Sequence, residues 1–226
     1  MGSIRDNLQA VKGRIERAAV QCGRDPASVA LLAVSKTQPA ASVKEALDAG
    51  QRAFGENYVQ EAVEKMDVLA RPEAEWHLIG PLQSNKTRLV AERFAWVHSV
   101  DGEKLARRLS GQRSGNLPAL NVLVQVNVSG EPSKSGVAPA EAAAIARAIA
   151  KLPRLRLRGL MAIPEPGAPA GRYRDLKALY DGLKAELGVD TLSVGMSDDL
   201  ELAVAEGSTM VRVGTAIFGA RAKAAA

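Results

Sequence analysis

Short apolar runs alternate with amphipathic stretches along the whole chain. The apolar runs favour strands because they are rich in β-branched and other apolar residues and are bounded by glycine or proline. Between them, apolar residues recur at the three- and four-residue spacing that is typical of amphipathic helices. The predicted strands are residues 29–36, 52–55, 76–80, 96–100, 120–128, 157–163, 191–196 and 209–214.

A leading amphipathic helix over residues 4–22, closed by Gly23, precedes these units. Eight strand–helix units behind one extra N-terminal helix predict an α/β fold, a (β/α)8 or TIM barrel. The alternative, an open doubly wound sheet, normally has fewer units and a glycine fingerprint after its first strand, and this sequence lacks that fingerprint. Because no linker or shift in composition divides residues 1–226, we expect a single domain.

The first predicted strand ends in a lysine. Leu32, Val34 and Lys36 share one parity, so they point to the same face of the strand. If that face is the barrel interior, Lys36 arrives at the end of the barrel where such folds keep their chemistry. A partly desolvated lysine has a lowered pKa and can attack an aldehyde. The alternative is that Lys36 marks where the strand reaches water.

The loops after strands seven and eight are suited to an anion. Ser197 is predicted to be a helix N-cap, with the backbone N–H groups of the next turn free to face a phosphate. Arg212, Gly214 and Thr215 supply a cation, a close approach and a hydroxyl. The alternative makes Ser197 a plain cap and Arg212 a surface cation. The two aspartates after Ser197 would repel a phosphate, so this hypothesis requires both to turn towards solvent.

A lysine on strand one facing a phosphate site at strands seven and eight predicts a phosphorylated aldehyde across the mouth of the barrel. Pyridoxal 5'-phosphate (PLP) is the obvious candidate. Lys36 would form its Schiff base, and the two late loops would hold its phosphate.

Composition narrows the other possibilities. The net charge is only +5, basic residues concentrate only at residues 154–158, and aromatic residues make up 4% of the chain, which argues against nucleic-acid binding. Cys22 is the single cysteine and there are two histidines, so we expect neither an intramolecular disulfide nor a metal site. Without an apolar signal-peptide region or an apolar run of about 18 residues, a cytoplasmic protein with no membrane span is expected.

Five segments resemble the pyridoxal phosphate homeostasis family, small single-barrel proteins related to the barrel domain of alanine racemase. The resemblance runs in order over residues 4–221, essentially the whole chain. It is carried by residues 33–37, 54–58, 76–86, 195–199 and 211–219.

The resemblance implies a PLP-binding protein that holds the cofactor as a lysine Schiff base and acts in intracellular PLP homeostasis and delivery, without catalytic turnover of its own. The expected partners are the cofactor and PLP-dependent apo-enzymes, and a monomer is the default. By position, the implied cofactor residues are Lys36 for the Schiff base, Ser197, Arg212, Gly214 and Thr215 for the phosphate, Asn57 for the ring, and Met161 against a ring face, unless Met161 is simply core.

Other amines and imidazoles receive structural interpretations. Members of the family often carry a second lysine two places after the first, where this chain has Gln38, which leaves a role of that amine in cofactor release in doubt. Lys86 and Lys134 are expected to be solvated surface groups near the mouth. His77 and His98 lie within strand patterns, where hydrogen-bonded packing histidines are commoner than acid–base groups.

Two enzymatic alternatives stay open. An amino-acid racemase needs bases on both faces of the ring, and Lys36 supplies one. In alanine racemase the opposing base comes from an extra β domain of a partner subunit. With the last residue at Ala226 there is no room for such a domain, so we expect a carrier. A barrel lyase for sugar phosphates would also use a Schiff-base lysine, but that lysine is expected on a later strand.

Overall fold

Eight parallel strands close into one barrel in the computed structural model, which describes residues 2–131 and 135–219. The strands are β1 (Ala30–Val34), β2 (Ala53–Glu56), β3 (Glu75–Leu78), β4 (Trp96–Val100), β5 (Leu120–Val126), β6 (Leu155–Ala162), β7 (Thr191–Ser193) and β8 (Met210–Val213). Each pairs with the next, and β8 pairs with β1. The predicted (β/α)8 barrel is confirmed.

Helices surround the sheet and follow the strands in turn. Those in the described part of the chain are α1 (Ile4–Gln21), α2 (Ala40–Asp48), α3 (Val59–Leu69), α4 (Thr87–Arg93), α5 (Glu103–Gln112), α6 (Pro139–Ala150), α7 (Ala170–Leu187), α8 (Leu200–Ala205) and α9 (Thr215–Phe218). The predicted leading helix is α1, which begins at a capping box between Ser3 and Asp6 and packs against α8 and α9. In residues 2–131 and 135–219, no helix is long and apolar enough to cross a bilayer.

Strand alternation separates two apolar layers. Outward-facing residues such as Phe54, Val122 and Leu160 belong to the main core between the sheet and the helices. Trp96, Leu123 and Met161 form a separate small cluster, which we assign to the barrel interior. Leu32 of β1 is the register partner of Arg212 of β8, so both point inwards. This parity sends one set of side chains up the interior towards the C-terminal end.

Several predicted element ends are wrong, and two matter for function. The first strand ends at Val34 rather than Lys36, because Thr37 adopts a left-handed backbone conformation with φ of 61° and turns the chain. The helix predicted from residue 198 is the shorter α8, whose N-cap is Asp199, so Ser197 is not a helix cap. Lys36 and Ser197 therefore both lie in turns just beyond strand ends.

Candidate functional site

A cavity of about 340 Å³ opens at the C-terminal end of the barrel. Its volume is within the range of small-molecule sites. Six of the seven predicted cofactor residues line it: Lys36, Asn57, Ser197, Arg212, Gly214 and Thr215. The remaining wall consists of Val34, Gln38, Ile79, Ile163, Met196, Asp198 and Gly219.

Met161 is the predicted residue that does not line the cavity. It is fully buried in the barrel interior against Trp96 and Leu123. Ile163 follows it on the same face of the chain, is partly exposed, and forms the wall of the cavity instead. Met161 is therefore core, the alternative stated for it, and lies one layer below the mouth.

Lys36 is carried by a turn that a buried charge cluster holds in place. Lys65 on α3 donates to the carbonyl of Ser35 (2.6 Å) and to the carboxylates of Glu56 and Glu61 (2.7 Å each). Glu61 also accepts from the backbone N–H of Thr37 (2.6 Å), while Glu56 accepts from the Ser35 hydroxyl (2.7 Å). Both residues that flank Lys36 are thus bound to the same group of side chains, which we call the Lys65 cluster (Ser35, Glu56, Glu61 and Lys65).

The Lys65 cluster lies outside the barrel wall, between the sheet and α3. Glu56 is completely buried and Lys65 is 5% exposed. Burial raises the pKa of the Glu56 carboxyl above its usual value, and the hydrogen bond and charge of Lys65 only partly oppose that shift. Removing the ammonium would leave a carboxylate in an apolar layer.

Arg212 lies inside the barrel on β8, the strand that pairs with β1, and lines the same cavity as Lys36. The surface-cation alternative is wrong, because Arg212 is only 4% exposed. Its Nη1 donates to the carbonyl (2.7 Å) and hydroxyl (2.8 Å) oxygens of Ser193, and its Nη2 donates to the carbonyl of Ala162 (2.9 Å). Burial lowers the pKa of Arg212 to about 10, so the guanidinium remains charged at neutral pH.

The loop that carries Ser197 is anchored from two helices. Arg14 of α1 donates to the Ser197 carbonyl (2.9 Å) while pairing with Glu201. Asp199 accepts from the backbone N–H of Met196 and from the hydroxyl of Tyr173 (2.5 Å each). The expectation that both aspartates turn to solvent is therefore wrong for Asp199, but both its carboxylate oxygens accept these hydrogen bonds and it does not line the cavity. Its neighbour Asp198 is exposed at the cavity rim.

Two glycines permit the close approaches on which the cavity depends. A Cβ at Gly80 would lie 2.3 Å from the carbonyl oxygen of Asn57, so only glycine at this position allows the Asn57 backbone to lie where it does. A Cβ at Gly214 would lie 3.0 Å from the carbonyl oxygen of Val34. The side-chain Oδ1 of Asn57 is buried and has no hydrogen-bond partner among the described residues, so it can accept from a ligand.

The other candidate residues that the structure describes do not line the cavity. Lys86 ends a 3₁₀ turn (Ser84–Lys86) and does not line the cavity. Lys134 lies outside the described residues. His77 and His98 are completely buried and hydrogen-bonded to each other, Nδ1 to Nε2 at 2.9 Å, which confirms their interpretation as hydrogen-bonded packing histidines. In the described part of the chain, no three His, Cys, Asp or Glu side chains form a possible metal site.

Sequence reasoning missed the supports of the site. The Glu61–Lys65 spacing of four residues signals a helical pair, and Lys65 lies near the apolar stripe of α3, but nothing local indicates Glu56 as its second partner. Arg14 and Ser193 gave no signal, because their partners are 183 and 19 residues away in sequence.

Comparisons with known proteins identify the family of this chain. The family model described as the N-terminal domain of alanine racemase matches residues 4–222. A pyridoxal phosphate homeostasis protein of Pseudomonas aeruginosa is 59% identical and covers 98% of this chain and 97% of its own. A protein of the same name from Escherichia coli is 56% identical, with 98% of each chain covered.

A solved structure provides a third comparison. PipY of Synechococcus elongatus, solved with PLP bound, is 40% identical to this chain. It superimposes with a TM-score of 0.78 and covers 91% of this chain and 100% of its own. The chain belongs to the pyridoxal phosphate homeostasis protein family, whose barrel is that of the N-terminal domain of alanine racemase.

Proposed function

We propose that this protein binds PLP in the barrel cavity and acts in PLP homeostasis, holding the cofactor reversibly and delivering it. The observation that carries the proposal is that the Lys36 amine and the buried Arg212 guanidinium line one cavity of suitable size. An amine that reacts with an aldehyde and a fixed cation that binds a phosphate are the two groups that this cofactor needs. PipY, solved with PLP bound, is a relative of the same fold.

Different lining residues bind the aldehyde, the phosphate and the ring of the ligand. Lys36 attaches the aldehyde carbon as a Schiff base, on the β1 side of the cavity. Arg212, with the Ser197 and Thr215 hydroxyls and the unobstructed backbone of Gly214, binds the phosphate. Asn57 accepts a hydrogen bond from a polar group of the ring through its orphan Oδ1. Ile163 takes the place proposed for Met161 against the ring.

The delivery part of the proposal concerns what happens outside the cavity. The relatives are named for homeostasis rather than for a reaction. We propose that a monomeric, cytoplasmic protein transfers its cofactor to PLP-dependent apo-enzymes, with the open mouth of the barrel as the exit. Gln38 lines the mouth and is uncharged, so this chain uses no second lysine at that position.

Covalent attachment at Lys36 is tested by trapping. Native protein, Lys36→Ala and the matched control Lys86→Ala are incubated with PLP, reduced with borohydride and analysed by mass spectrometry of peptides. We expect one adduct, on Lys36, in the native and Lys86→Ala proteins, and none in Lys36→Ala. An undiminished adduct in Lys36→Ala would place the aldehyde site elsewhere. Recovery of activity by an apo-enzyme mixed with the loaded native protein then tests delivery.

Amino-acid racemisation is the second candidate, favoured by the family model that the chain shares with alanine racemase. Besides Lys36, the described residues that line the cavity include only Asp198 and Arg212 as ionisable groups, and Asp198 is exposed at the rim. We therefore expect loaded protein incubated with L-alanine to give no D-alanine at enzyme-like rates. Steady formation of the D-isomer that is lost in Lys36→Ala would favour the racemase.

A further inference from the structure

A hydrogen-bonded chain runs through the barrel interior from the cavity to the opposite end. Arg212 Nη1 lies 2.8 Å from Ser193 Oγ, which lies 3.2 Å from His98 Nδ1. His98 Nε2 lies 2.9 Å from His77 Nδ1, and His77 Nε2 lies 2.9 Å from the carboxylate of Glu75. The first four residues are buried, whereas the Glu75 side chain is 47% exposed. We call these five residues the histidine chain.

The two ends of the histidine chain impose one direction on it. A guanidinium can only donate, so Ser193 Oγ accepts from Arg212 and its own proton is available for His98 Nδ1. A carboxylate can only accept, so the Nε2–H of His77 donates to Glu75. The remaining link must then run from the Nε2–H of His98 to Nδ1 of His77. Both rings are therefore Nε2–H tautomers.

The charge states agree with this assignment. Burial lowers the pKa of His77, and burial together with the nearby His77 and Arg212 holds the pKa of His98 well below its usual value, so both rings are neutral at neutral pH. The hydrogen bond from His77 lowers the pKa of Glu75, which keeps that group a carboxylate.

We propose that Glu75, His77 and His98 are positioning residues for Arg212, acting from the far end of the barrel through Ser193. Reversal of the chain would place an Nδ1–H of His98 against Ser193 Oγ. Ser193 Oγ would then accept from both His98 and Arg212, so Arg212 would share one of its three anchors with a second donor, and the Ser193 proton would lose its acceptor on His98. Glu75 is the group that forbids this reversal. The proposal rests on the proposed function wherever cofactor affinity is the readout.

The test compares Glu75→Leu, which removes the acceptor, with Glu75→Gln, whose carbonyl oxygen can replace it. Glu73→Leu is the matched control, an exposed carboxylate of the same segment paired with Arg71. Because the chain contains only His77 and His98, ¹⁵N-histidine labelling of a protein without a histidine tag reports both rings directly. The spectra are recorded without cofactor, and PLP affinity is measured by absorbance titration.

In native protein we expect both rings to be Nε2–H tautomers. In Glu75→Leu we expect a changed His98 spectrum and a PLP affinity reduced about three- to tenfold. The PLP affinities of Glu75→Gln and Glu73→Leu should stay within about twofold of native. Ser193→Ala removes the hydroxyl that accepts from Arg212 Nη1 and should weaken PLP binding at least as much. This variant decides the affinity measurement if Glu75→Leu does not fold. A native tautomer other than Nε2–H, or affinity in Glu75→Leu equal to that of Glu73→Leu, would overturn the proposal. If native protein fails to bind PLP, the proposed function fails, and the cofactor-free spectra alone decide whether Glu75 directs the chain.

Discussion

The two cationic groups of the cavity, Lys36 and Arg212, are supported in opposite ways. The Lys36 turn rests on the Lys65 cluster, a group of buried charges outside the barrel wall. Arg212 is held inside the barrel by two carbonyls and by the Ser193 hydroxyl, which contacts two uncharged histidines; the carboxylate of Glu75 lies at the far end of that chain. The described hydrogen-bond partners of Arg212 therefore include no carboxylate, although the charge of the nearby Asp199 partly opposes the lowering of the pKa of Arg212. Under the proposed function, we expect this asymmetry to orient PLP with its phosphate towards Arg212 and its carbonyl carbon towards Lys36.

The largest effect should come from breaking the charged support. Lys65→Met leaves the Glu56 carboxylate buried without its cation, which we expect to lower the free energy of unfolding by about 3–5 kcal/mol in urea denaturation. Lys44→Met, which removes an exposed pair with Asp48, is the control and should cost less than about 1 kcal/mol. Equal losses would contradict a structural role for the Lys65 cluster.

The destabilisation caused by Lys65→Met should also depend on pH, in a direction that the pKa of Glu56 determines. Without Lys65, no remaining group opposes the effect of burial on the Glu56 carboxyl as strongly, so the pKa of Glu56 rises further above its value in the unfolded chain. An acid with a raised folded-state pKa favours the folded state at low pH, and this contribution is lost as pH rises through the folded pKa. The destabilisation by Lys65→Met should therefore be smaller at about pH 5 than at about pH 8, and Glu56→Gln in the same background should remove that difference.

The next largest effect should come from changing Arg212. Arg212→Lys keeps a cation but loses the fork that contacts both Ser193 and Ala162, so we expect PLP affinity to fall about tenfold or more. Plain pyridoxal, which lacks the phosphate, should lose much less. Titration of both ligands against native and Arg212→Lys protein gives the comparison, and equal losses for the two ligands would place the phosphate elsewhere.

A smaller effect should follow from crowding the backbone of Asn57, which lines the cavity beyond the end of β2. Gly80→Ala puts a Cβ against the Asn57 backbone, so Asn57 must shift, and we expect PLP affinity to fall about three- to tenfold. Gly111→Ala, on an exposed turn of α5 with open space around the new Cβ, is the control and should leave affinity unchanged. Unchanged affinity in Gly80→Ala would show that Asn57 is not a cofactor contact.

The barrel and its chemical groups were predictable, whereas their supports were not. Strand periodicity and turn residues specify eight units, and the parity of Leu32, Val34 and Lys36 placed Lys36 correctly even though β1 ends two residues early. Whether Met161 lines the cavity or lies below it depends on the register of β6 against its neighbours in the closed barrel. Local sequence does not determine that register. Likewise, Glu56 meets Lys65 only because β2 packs under α3, so the pair is a property of the tertiary structure.

The smallest predicted effect concerns the anchor from α1 to the Ser197 loop. Arg14 is about one-third exposed and its partner Glu201 about half exposed, so their ion pair contributes less than about 1 kcal/mol to stability. Its bond to the Ser197 carbonyl nevertheless holds the loop beside the phosphate position. Arg14→Ala should therefore leave the thermal midpoint nearly unchanged but weaken PLP binding about twofold, whereas Arg17→Ala, exposed on the same helix, should change neither. Because solvent screens the exposed ion pair but not the loop geometry, added salt should leave this small difference in affinity between the two variants in place. A difference that disappears in salt would mean that Arg14 acts through its charge alone.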